Sequence, residues 1–146
     1  QRSDGLVAHY SFDNPADLGH DDSAWGNNGT AQWWVTGVDG KIGGAASFDG
    51  VDDYINLPWP ELDGDNLTVW LWFKIPTWTP IGHVKNLIWQ WDRNTTEWWT
   101  MWFLYNESIL YQHNLWWVWM WPQTNKFIIN ERNHIVWVTE WDITKL

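Results

Sequence analysis

The chain has 146 residues, enough to bury one sizeable core and short for two ordinary domains, so a single domain over 1–146 is expected. With 18 acidic residues against 8 basic, its formal net charge is −10, which disfavours nucleic-acid phosphates and anionic membrane faces and favours cations and neutral ligands. The absence of cysteine excludes disulfides and thiolate metal sites, and no apolar run is long enough for a membrane-crossing helix, so no membrane insertion is expected.

Along the chain, period-2 alternation recurs about every eight to twelve residues between clusters of Gly, Asn, Asp and Pro, with no useful helical stripe. It predicts strands over 6–12, 45–48, 54–57, 67–75, 86–91, 100–105, 109–113, 117–120, 126–129 and 134–139. Residues 14–44 are polar and glycine-rich, opened by Asn14-Pro15, and read as a long connection with at most a short strand near 32–36. Next, Gly43 to Pro58 reads as a hairpin: a short apolar strand, a tight Asp49-Gly50 turn, the adjacent carboxylates Asp52 and Asp53, and a second strand.

The clearest strand is 67–75. Leu67, Val69, Leu71 and Phe73 share the face expected between two sheets, while Thr68, Trp70, Trp72 and Lys74 share an exposed or ligand-facing one. In 86–91 the set Leu87, Trp89, Trp91 opposes Ile88 and Gln90, and neither face is cleanly polar, so its orientation stays open.

Asp49, Asp52 and Asp53 concentrate hard oxygen donors in one turn, a chemistry that suits calcium, although capping of backbone amides would use the same residues. Trp70, Trp72, Trp102 and Tyr105 offer flat apolar rings for the C–H faces of a sugar, with core packing as the alternative. Asn28, Asn66, Asn94 and Asn106 head Asn-x-Ser/Thr sequons, more than such a composition supplies by chance, and lean towards a glycosylated, secreted product. A first residue Gln1 suits a processed product or an excised piece.

Catalytic signals are sparse. Glu140-x-Asp142 is the nearest approach to a glycosidase carboxylate pair, and a solvated turn explains it better. The histidines His9, His20, His83, His113 and His134 have no metal-ligand spacing, His9 and His134 falling within expected strands, and no Gly-x-Ser-x-Gly elbow occurs.

Several segments together resemble the concanavalin A-like lectin/glucanase superfamily in its laminin-G-like (LamG) branch. They are the apolar opening run Leu6 to Phe12 with Asp13; the cluster Asp22, Ser23, Gly26, Asn27, Asn28, Gly29, Thr30; Gly40 to Ala45; Ser47 to Tyr54; Leu67 to Lys74 with Trp72; and His134 to Val138. The resemblance implies an all-β antiparallel β-sandwich jelly roll, incomplete at its C-terminus because the family continues into further strands beyond the position of Leu146. It also implies structural calcium (Ca2+), with Asp13 a further donor beside Asp49, Asp52 and Asp53.

On this reading the chain is a non-catalytic carbohydrate-binding or adhesion module, extracellular or at the cell surface, with glycans or other extracellular proteins as partners. The alternative is a structural subunit of an extracellular fibre or surface layer, whose unpaired edges are completed by neighbouring chains. A glycoside hydrolase is the least favoured class.

Tryptophan departs from the family pattern, with 18 in the chain. Trp25, Trp33, Trp34, Trp70, Trp89 and Trp91 stand where relatives carry Gly, Ser or Asn, and a Gly-type turn position often demands a positive φ that is costly for a bulky residue. Substituted or misassigned letters at several of these positions are the expectation.

Overall fold

The computed structural model describes residues 5–58, 68–76, 85–91, 98–103, 109–113 and 128–138. Among the described residues all regular structure is β-strand and all pairing antiparallel, so the protein is all-β. The chain divides into two compact units, Gln1–Pro60 and Glu61–Leu146.

In the first unit β1 (Thr30–Gln32) pairs with β4 (Tyr54–Asn56), and β2 (Thr36–Asp39) pairs with β3 (Gly44–Ser47). The registers, Gln32 opposite Tyr54 and Thr36 opposite Ser47, nest one pair inside the other. The tip of this ribbon is therefore 40–43, closed by the Gly40 amide donating to the Gly43 carbonyl at 2.8 Å. The hairpin expected around Asp49-Gly50 is not formed, since β3 and β4 pair with other strands. Residues 48–53 instead make an excursion on the returning strand, opposite the turn at 33–35. Within it Asp53 accepts the Trp34 amide at 2.9 Å through Oδ1 and the Asp49 amide at 2.9 Å through Oδ2. The strand expected near 32–36 likewise falls on the turn separating β1 from β2.

Gly43 and Gly44 set where the tip forms. Gly43 has φ +63, and a Cβ on Gly43 or Gly44 would run into the Asp13 carboxylate or the Phe12 carbonyl respectively. Only a side chain as small as hydrogen lets segment 12–13 lie this close. Asp13 Oδ1 then accepts the Gly44 amide at 2.7 Å.

Residues 6–12 alternate in sequence but form no strand. Their backbone groups are taken by loop 21–27: His9 N–H by Asp21, Ser11 N–H by Asp22, the Val7 carbonyl by Asn27 Nδ2 and the His9 carbonyl by the Asp22 amide. Side chains that satisfy backbone donors replace a β-ladder at no loss of hydrogen bonding. His9 consequently lies outside any strand.

In the second unit β5 (Thr68–Lys74) pairs over its whole length with β9 (Arg132–Val138), from Thr68 opposite Val138 to Lys74 opposite Arg132. β6 (Lys85–Trp91), β7 (Trp98–Phe103) and β8 (Ile109–His113) form a three-stranded meander. The core centres on buried Ile75 and Ile135, with Leu71, Phe73, Leu87 and Ile88 packed against them. A register shift between Asn86 and Ile88 places the consecutive pair Leu87 and Ile88 on this core, which is why simple alternation could not orient β6.

β9 is entered through a tight turn. Asn133 Oδ1 accepts the Ile128 amide at 2.8 Å, its Nδ2 donates to the Ile128 and Glu131 carbonyls, and the Asn130 amide donates to the Ile75 carbonyl at 2.7 Å. Of the strand expected over 126–129, Ile128 and Ile129 belong to this turn, and 126–127 lie outside the described residues, as does the strand expected over 117–120.

Candidate functional site

The alternation in β5 divides its residues as the sequence requires. Val69, Leu71 and Phe73 are half-buried and the last two line the core, while Thr68, Trp70, Trp72 and Lys74 are exposed. Residues directly opposite in an antiparallel pair share a face, so the outer surface of β5–β9 carries Trp70 beside Val136 and Trp72 beside His134. Trp70 is 56 % exposed, Trp72 46 % and Val136 54 %. The Trp72 and His134 rings lie 4.6 Å apart between centroids at an interplanar angle of 33°, so the imidazole holds the indole against the sheet. Trp70 and Trp72 are spaced about 7 Å along the strand, two residues of extended chain.

Of the four aromatic residues proposed from sequence, these two share one face. Trp102 lies in β7 of the meander, opposite Asn86 and Leu110, and Tyr105 lies outside the described residues.

The acidic loop is compact. Asp49, Asp52 and Asp53 each place a carboxylate oxygen within 4.8 Å of the others, and Asp49 Oδ1 also accepts the Val51 amide at 2.7 Å. Three like charges so close repel, and a divalent cation would relieve that repulsion through hard oxygen ligands. The group could hold a metal ion, with Asp53 also fixing the loop to the Trp33-Trp34 turn. Asp13 is not part of it: its carboxylate is engaged at Gly44, the first residue of β3, whereas the triad follows that strand's other end.

Sequence reasoning missed the best-organised polar group in the described residues. Asp21 is only 3 % exposed. Its carboxylate accepts the amides of His9 (2.8 Å), Ser23 (2.9 Å) and Asn27 (2.7 Å) and the Ser23 hydroxyl (2.8 Å). Burial pulls its pKa upward, but these four hydrogen bonds outweigh burial and hold the carboxyl below its ordinary value. Tyr10, whose hydroxyl donates to the Asn27 carbonyl at 2.6 Å, is pushed up to about 12 by burial and by the neighbouring Asp21 charge. A carboxylate so fully satisfied is a folding element. Its sequence signal was the Asp-x-Ser spacing of an Asx turn, hidden beside the more conspicuous Asp22.

Among the sequons, exposed Asn28 uses its Oδ1 to accept the Asp21 amide at 2.9 Å, while Asn66, Asn94 and Asn106 lie outside the described residues, as do Glu140 and Asp142. Trp33 has φ +62, so it occupies the left-handed region that its glycine-like position called for. No protein-family model, curated protein or solved structure matches the chain.

Proposed function

We propose that the chain is a non-catalytic carbohydrate-binding or adhesion module of a secreted or cell-surface protein, built on a jelly-roll sandwich of the laminin-G-like type. The observation that carries the reading is the pairing of Trp70 and Trp72 on the solvent side of a strand whose opposite side lines the core. Two indoles held by a strand paired along its whole length with β9 are preorganised to stack on sugar rings, so little ordering entropy is lost on binding. Antiparallel pairing throughout the described strands supports the sandwich architecture, and the Asp49, Asp52, Asp53 loop supports a calcium requirement. A glycan array probed with the folded chain tests it: retention on at least one glycan class is expected, and a folded chain that binds none removes the reading.

A second reading, a structural subunit of an extracellular assembly, is favoured by the first unit. There Trp33, Trp34, Ile42 and Val51 are 68 %, 81 %, 82 % and 82 % exposed, large apolar side chains that a neighbouring chain would cover. Sedimentation analysis distinguishes them, since a monomer at high concentration contradicts the assembly.

A further inference from the structure

Lys74, the last residue of β5, stands directly opposite Arg132, the first of β9, both exposed on the Trp70–Trp72 face. Like charges in directly opposed positions destabilise an antiparallel pair. Among the described residues no carboxylate forms an ion pair with either. Next in register comes Trp72 opposite His134, then Trp70 opposite Val136. The face thus reads in one direction as a cationic pair, a propped indole and a second indole.

We propose that this face binds an acidic oligosaccharide through one carboxylate-bearing sugar, its carboxylate on Lys74 and Arg132 and a neighbouring neutral ring on Trp72 and Trp70. The proposal rests on the carbohydrate reading above and specifies its ligand. A planar guanidinium beside an ammonium suits a carboxylate, by paired hydrogen bonds from the first and point charge from the second. A ligand with one acid group is favoured over a densely charged polyanion, because the net charge of −10 repels the latter while a single group at a local cationic pair is attracted.

The test is calorimetric titration of the full chain with a xylo-oligosaccharide carrying one glucuronate and with the same oligosaccharide methyl-esterified, which removes the negative charge and adds one methyl group. The acid is expected to bind more tightly, with an affinity that falls as salt is added. Lys74→Gln and Arg132→Gln should each weaken acid binding about fivefold and ester binding by less, so that the preference for the acid shrinks, while Lys74→Arg retains that preference. Both positions are exposed, and an unchanged or raised melting temperature of each variant shows that folding is intact. Equal binding of acid and ester overturns the acidic-ligand inference and leaves the carbohydrate reading standing. Binding of neither probe by a chain that the glycan array shows to bind other sugars also overturns the inference alone, whereas binding of neither with an empty array overturns both.

Discussion

The carboxylate of Asp21 accepts a hydrogen bond from the amide of His9 at 2.8 Å, twelve residues away in sequence, and so ties the opening segment to the loop that follows it. Removing that acceptor leaves the His9, Ser23 and Asn27 amides without the partner they share. Asp21→Ala is expected to destabilise the protein by roughly 3 kcal/mol in denaturant unfolding, since buried donors left unpaired carry their full desolvation cost. Because the folded pKa of Asp21 is depressed, its contribution is present above the unfolded carboxyl value of about 3.9 and is lost as pH falls through the lower folded value. Acid unfolding of the wild type should therefore steepen below about pH 4, and the variant should lose that dependence.

Tyr10 titrates in the opposite sense. A folded pKa raised to about 12 means that its stabilisation is complete below the unfolded value of 10.0 and disappears as pH rises towards the folded one. An ultraviolet phenolate titration should show a late step at about 12, and Tyr10→Phe should remove it. Four tyrosines ionising together near the ordinary value would contradict the placement of the Tyr10 hydroxyl.

Trp33 sits at φ +62 with 68 % of its surface exposed, so it bears left-handed strain with little packing in return. Trp33→Gly is expected to raise stability by about 1 kcal/mol, the cost of that conformation for a side chain less the extra flexibility of glycine when unfolded. Trp34→Gly should bring no such gain, because Trp34 is not among the positive-φ residues. Equal responses at both positions would contradict the turn geometry.

Calcium added to chelator-treated protein should raise the melting temperature, and Asp52→Asn should abolish the rise. Asp52 is the informative position, since Asp49 and Asp53 also accept backbone amides and their removal would disturb the loop itself. Asp13→Asn should lower stability yet keep the calcium response. A melting temperature that ignores saturating calcium removes the metal site.

The outer and inner faces of β5 were legible because Leu71 and Phe73 alternate strictly with Trp70 and Trp72, and one buried face enforces register. β3, β4 and β8 also fell near their expected positions. The ribbon in the first unit was misread because Asp49-Gly50 carries a strong local turn signal. Pairing is decided instead by the approach of Phe12 and Asp13 to Gly43 and Gly44, a contact between segments far apart in sequence. Residues 6–12 have strand-like alternation, yet side chains of a distant loop satisfy their backbone. Alternation also failed at β6, where an extra residue breaks the period. Within the candidate site, the shared face of Trp70 and Trp72 followed from spacing alone. The roles of His134, Arg132 and Val136 depend on which strand pairs with β5, and no local pattern encodes that.

The proposed carbohydrate site lies on the outer face of β5–β9. The most direct measurement is calorimetric titration of wild type, Trp72→Ala and Trp89→Ala with a glycan retained on the array. Trp72→Ala should lose at least about tenfold in affinity while remaining folded, because it removes the propped central ring. Trp89, 54 % exposed on β6 of the other sheet, should be replaceable without loss. Undiminished affinity in Trp72→Ala, or an equal loss in both variants, would contradict the account.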